Sequence, residues 1–147
     1  MNEIEKAAAS AKIPKIVELL AAEDAVGNLL GMKRESVALG YSRLTMTVRK
    51  DMANGHGICH GGMTFSLADT AFGYACNTYN RVTFGAACSI DYVNPAHLGD
   101  ELTAECKEVF SQGRSGIYNV VVTNQKGVVV ALFHGNCRSR NELLVND

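Results

Sequence analysis

The residues best suited to chemistry lie together in the middle of the chain. Asn54, His56, Cys59 and His60 are interleaved with glycines in a short loop that ends in Gly61-Gly62. An almost wholly apolar stretch follows at once, Met63 to Ala75, with one carboxylate inside it, Asp69. A helix that is hydrophobic on every face belongs in an interior. An ionised carboxylate in an interior is costly unless it is paired, hydrogen-bonded or at work. A loop of polar donors running into such a helix, with a lone acid, points to a hydrolytic site.

The elements that must position these residues can be read from periodicity. Met1 to Asp24 reads as helix, with Pro14 in a first turn, an apolar stripe of Ile16, Val17, Leu19 and Leu20, and Gly27 as the stop. Leu29 to Leu39 is strand-compatible, and Gly40 turns it into Tyr41 to Arg49. There Ser42, Leu44, Met46 and Val48 alternate with Tyr41, Arg43, Thr45, Thr47 and Arg49, the pattern of a half-buried strand. The long helix fades near Asn77 to Asn80. Four more strands follow over Thr83 to Val93, Glu101 to Ser111, Gly116 to Asn124 and Val128 to Arg138. Their short Gly-containing links call for antiparallel pairing, since parallel strands need long crossovers. The expected class is α+β, a curved antiparallel sheet of about six strands wrapped around one central helix. The helix is too apolar for one sheet to cover, so a second copy of the chain is expected on its remaining face.

Composition narrows the function classes. The 147 residues are 47% hydrophobic and 20% charged, with a net charge of −1, which suits one globular domain. No general attraction to nucleic acid or to anionic lipid follows from that charge. No apolar run approaches the roughly 20 residues a membrane span needs. Residues 1–13 lack the pattern of a secretory signal. The five cysteines are scattered with no CxxC pair, and the four histidines have no zinc-ligand spacing. A reduced, cytoplasmic chain without a metal or other cofactor is expected.

The stretch from Asn54 to Asn77, with Asn-Gly-His at its start, Cys59-His60-Gly61-Gly62, and Phe65-Ser66-Leu67-Ala68-Asp69-Thr70-Ala71-Phe72, resembles the hotdog-fold thioesterases. The similarity is greatest to their PaaI-type group, from the phenylacetate pathway. It continues through Cys88, Ile90-Asp91, Pro95, Gly99-Asp100, Gln112-Gly113, Tyr118 and residues 130–133, and so covers about residues 30–139. Residues 1–25 lie outside it and read as a helical extension before a domain over 26–147. The resemblance implies a hotdog fold with an extra N-terminal helical segment. It also implies homodimers pairing into a homotetramer, and metal-free hydrolysis of acyl-coenzyme A thioesters. For this group the implied substrates are phenylacetyl-CoA and its ring-hydroxylated relatives, with coenzyme A part of the substrate.

Thioester hydrolysis needs donors aimed at the developing oxyanion and a base or nucleophile. Gly61 and Gly62 open the helix, where backbone N–H groups have no internal partner and the dipole favours negative charge. Gly61 N–H is the expected oxyanion donor, as the resemblance also implies, and Gly62 is expected at the substrate. Asp69 is the base or the nucleophile; the residues alone do not choose. Asn54 is expected to hold water or the carbonyl, or else to serve as a turn residue. His60 either donates to the thioester oxygen or braces the loop. Thr70 touches substrate, supports Asp69 or bonds back to its own helix. His56 is expected to be structural or exposed. Arg81, Arg114, Arg138 and Arg140 sit near strand ends, and Arg114 and Arg138 are the candidates for coenzyme A phosphates. Where some relatives carry a catalytic hydroxyl after the helix, this chain reads Gly85-Ala86-Ala87-Cys88, leaving Ser89 as a weak substitute.

Gly61 and Asp69 are eight positions apart, roughly 12 Å along one helix. Two helices antiparallel across a two-fold axis would bring Gly61 of one chain to Asp69 of the other. The alternatives are a non-catalytic acyl-CoA-binding or sensing module, which has no use for Asp69, and a hydratase or dehydratase pairing His60 with Asp69.

Overall fold

A computed structural model describes residues 1–146. Two helices come first, α1 (Glu3–Glu23) and α2 (Ala25–Leu29), then the hairpin β1 (Lys33–Ala38) and β2 (Tyr41–Thr47). A single-turn 3-10 helix (Lys50–Met52) and the polar loop lead into α3 (Gly61–Asn77). Strands β3 (Thr83–Tyr92), β4 (Glu101–Gln112), β5 (Ser115–Thr123) and β6 (Val129–Ser139) follow. All six strands form one antiparallel sheet in the order β1-β2-β4-β5-β6-β3. Helix α3 touches every one of them. This is the expected α+β hotdog architecture, with a helix preceding the sheet.

The alternation read in β2 turns Ser42, Leu44 and Met46 inward, where they are buried with Leu102, Ala104 and Cys106 of β4 and Val120 and Val122 of β5. Leu67, Ala68, Ala71, Phe72 and Ala75 of α3 close the core from above. Each large apolar side chain fully buried there contributes about 1.5–3 kcal/mol. Phe72 packs against the rings of Tyr118 and Phe133, both at 5.7 Å between centroids. A Cβ at Gly135 would come within 2.8 Å of the Phe72 ring, so the glycine is what lets α3 lie this close to β6. The Ser42 hydroxyl donates to the Ala71 carbonyl at 2.5 Å and ties β2 to the middle of the helix.

Three expectations are corrected. Pro14 lies deep inside α1 rather than in a first turn. Proline forfeits one backbone hydrogen bond there, but its neighbours Ile13 and Ile16 are buried, and α1 packs on β1 and α3. Gly27 is not a stop; it lies within α2 and donates its N–H to the Asp24 carboxylate at 2.9 Å. A Cβ at Gly27 would collide with that carboxylate. Asp69 is not interior in the single chain but exposed, on the one stripe of α3 that the sheet leaves open.

That open stripe carries Gly62, Ser66, Asp69 and Gly73, none of them buried. Beside it runs β3, an edge strand bonded only to β6. Among the described residues no strand pairs with its other edge, and Phe84 and Tyr92 are each 52% exposed.

Candidate active site

His60 is the N-cap of α3, and its ring builds the first turn. Nδ1 accepts from the Gly62 N–H at 2.8 Å, which puts any proton of the neutral ring on Nε2. The His60 carbonyl accepts from Met63 N at 2.9 Å and, longer, from Thr64 N at 3.4 Å. Gly61 is the exception: among the described residues, its N–H has no hydrogen-bond acceptor. It is an unpaired helix-terminal donor on a residue that lines a cavity, the kind of group that can receive a developing negative charge. The cavity is about 410 Å³ and is lined by Asn54, Gly61, Thr64, Tyr92 and Pro95 among others.

The loop before Gly61 is braced from both sides. Cys59 N donates to Ala96 O at 2.9 Å and His60 N to Met52 O at 2.8 Å. Asn54 Oδ1 accepts from His56 N at 2.9 Å and from Ile58 N at 3.4 Å. Of the readings open for Asn54, the turn is therefore present, and its oxygen is spent within it. Its Nδ2 has no hydrogen-bond acceptor among the described residues, and the residue lines the cavity. His60 braces the loop through Nδ1, so Nε2–H is what it offers outward. Gly62 gives its N–H to His60 and has none for a ligand. His56 is exposed.

Asp69 lies two turns along α3. Although Asp69 is exposed at the surface, partial desolvation by neighbouring atoms raises its pKa above the usual carboxylate value, and among the described residues no hydrogen bond or cation acts against that. Cys88 on β3 feels the Asp69 charge, and burial together with that charge raises the thiol's pKa. Cys88, not Ser89, is thus the β3 side chain on the helix side. Ser89 pairs across the sheet with His134 and lines a cavity on the opposite face with Asp91, Leu132 and His134. Thr70 lines a separate cleft against α1, and no back-bond from its hydroxyl to the helix is present among the described residues.

Sequence reasoning passed over Tyr92. Its hydroxyl donates to the Gly61 carbonyl at 2.9 Å, and a Cβ on Gly61 would meet its ring at 3.0 Å. The contact spans 31 positions and no local pattern announces it.

The arginines gather at the other end of the sheet. Arg138 Nη1 donates to Ser115 Oγ at 2.8 Å, and Arg114 Nε to the Ser139 carbonyl at 2.8 Å. Arg140 lies over the Phe84 ring at 4.9 Å. Arg81 stands just before β3. All four are exposed, and none has a carboxylate partner among the described residues.

Known proteins share this fold and the sequence that builds it. Residues 56–131 match the family model described as the thioesterase superfamily. Acyl-coenzyme A thioesterase PaaI of Escherichia coli K12 is 44% identical over 112 residues, 76% of this chain and 80% of that protein. The solved structure of E. coli PaaI, from the phenylacetic acid degradation operon, superposes with a TM-score of 0.89 at 38% identity. That match covers 91% of this chain and 97% of the other. The TT0310 protein of Thermus thermophilus matches with a TM-score of 0.76 at 36% identity, over 78% of this chain and 97% of that one. The chain belongs to the thioesterase superfamily, in its hotdog-fold, PaaI-like group.

Proposed function

We propose that the protein hydrolyses acyl-coenzyme A thioesters of the phenylacetyl or hydroxyphenylacetyl type, at sites assembled between two copies of the chain. The observation that carries this reading is that an open Gly61 N–H and an unpaired Asp69 carboxylate occur on one helix, about 12 Å apart. Neither reaches the other within the chain. The uncovered stripe of Gly62, Ser66, Asp69 and Gly73 has small side chains that allow a second α3 to approach closely, and the free β3 edge offers a strand to pair with. Antiparallel docking there sets Gly61 of one copy against Asp69 of the other, twice per dimer. Pairing of dimers into a tetramer and a cytoplasmic location complete the reading.

In this site the thioester oxygen sits on the partner's Gly61 N–H, with the helix terminus favouring the charge it gains. Asp69 takes a proton from a water that attacks the carbonyl carbon. The C–S bond then breaks, the coenzyme A thiolate is protonated, and the acid departs. Alternatively the Asp69 carboxylate attacks, forms a mixed anhydride as the thiolate leaves, and water cleaves it. Asn54 Nδ2 and His60 Nε2–H steady the carbonyl or the water, and Thr70 meets the acyl group. Arg114 and Arg138, with Arg81 and Arg140, take the phosphates of coenzyme A, which is substrate and not a resident cofactor.

The test is a hydrolysis panel over aryl- and alkyl-acyl-CoAs with released thiol as the readout. Turnover with the highest kcat/KM on arylacetyl esters supports the reading. No turnover on any ester overturns it.

A further inference from the structure

We infer that the cleft between α1 and the second half of α3 receives the acyl group, and that Leu19 and Tyr74 set which acyl groups fit. This rests on the thioesterase reading above. The cleft is about 380 Å³, with Leu19 and Leu20 on one wall and Thr70, Gly73 and Tyr74 on the other. Its volume falls in the range of small-molecule sites. Thr70, which follows Asp69 in the chain, and Gly73, one turn on, both line the cleft, so it opens next to the candidate base. Leu19 is 45% exposed, an apolar side chain without cover. An acyl body of aryl size supplies that cover.

The wall is held in place at its far end. The Tyr74 hydroxyl donates to Asp24 Oδ2 at 3.1 Å and accepts from Arg34 Nη1 at 3.3 Å. Arg34 also lies 4.0 Å from Asp24. Burial, then the Asp24 charge, pushes the Tyr74 pKa up to about 12, so the hydroxyl keeps its proton. Asp24 joins α1 to α2, and its other oxygen accepts from Gly27 N. Three elements distant in sequence therefore meet at one carboxylate, and the junction cannot drift from α3. Tyr74 is a positioning residue for the wall that Leu19 forms.

The experiment compares kcat/KM for phenylacetyl-CoA and acetyl-CoA in the wild type, Leu19→Trp, Leu19→Ala and Tyr74→Phe, with circular dichroism and elution volume as folding controls. Filling the cleft by Leu19→Trp is expected to lower the phenylacetyl-over-acetyl preference by about tenfold or more, the scale on which pocket size discriminates. Leu19→Ala widens the cleft and is expected to lower the same preference several-fold. Tyr74→Phe keeps the ring but removes its hydrogen bond to Asp24. It is expected to reduce the preference several-fold, which a loss of stability alone would not do. Equal factors on both esters in all folded variants would overturn the inference while leaving the thioesterase reading intact. A wild type inert on every ester would overturn both.

Discussion

The Tyr92 hydroxyl donates to the carbonyl oxygen of Gly61 at 2.9 Å, while the Gly61 N–H keeps no acceptor among the described residues. One face of this glycine is thus held by a strand and the other is left to a ligand. Tyr92→Phe removes the bond and keeps the ring. A hydrogen bond of this kind contributes about 0.5–1.5 kcal/mol, so kcat is expected to fall about two- to tenfold with KM little changed. Steady-state kinetics on one acyl-CoA checks it, and an unaltered kcat removes Tyr92 from the positioning of Gly61.

Asp69 must be ionised to act. Burial raises its pKa, so the acid limb of the kcat/KM profile is expected above the ordinary carboxylate range near 4. A raised folded-state pKa also means that the ionised form weighs against folding. That cost is present above the folded pKa and is relieved as pH falls through it. Asp69→Asn is therefore expected to leave the melting temperature at pH 7 unchanged or slightly higher. A clear drop in melting temperature would mean that the carboxylate serves the fold.

Arg138→Ala and Arg114→Ala are expected to raise KM for acyl-CoA several-fold while leaving kcat nearly constant, because charge-assisted contacts to phosphate act on binding. The same acyl group on pantetheine, which lacks the nucleotide, is expected to be indifferent to both changes. An equal KM effect on the two esters would place the phosphates elsewhere.

Cross-chain assembly makes a mixing prediction. Asp69→Asn and Gly61→Pro homodimers are each expected to be inactive. Heterodimers formed by unfolding and refolding the two together would hold one site with both native groups, and about half of the sites in each heterodimer would regain activity. The absence of recovery from heterodimers confirmed by differential tagging counts against sites shared between chains.

Much of this was legible because local rules and tertiary structure agreed. Gly99, Gly113 and Gly127 adopt positive φ at the turns where links were expected, so the boundaries of β4, β5 and β6 fall within a residue or two of the reading. The apolar run after Gly61-Gly62 is α3, capped by His60. The misreadings come from packing and partners that single-residue rules do not register. Pro14 is carried inside α1 because Ile13 and Ile16 bury on the sheet. Gly27 answers to Asp24, whose second oxygen is held by Tyr74, 50 positions away. Asp69 reads as buried because its neighbours in sequence are apolar. Yet α3 shows the sheet its other face, and a count of apolar residues does not tell a face turned to the sheet from one awaiting another chain.

The most direct test of the central claim is the turnover of Asp69→Asn on phenylacetyl-CoA beside the wild type, at equal oligomeric state and fold. A general base or nucleophile at this position predicts a kcat lower by about a hundredfold or more, with assembly unchanged. A variant that still hydrolyses the ester within a few-fold of the wild-type rate would contradict the account.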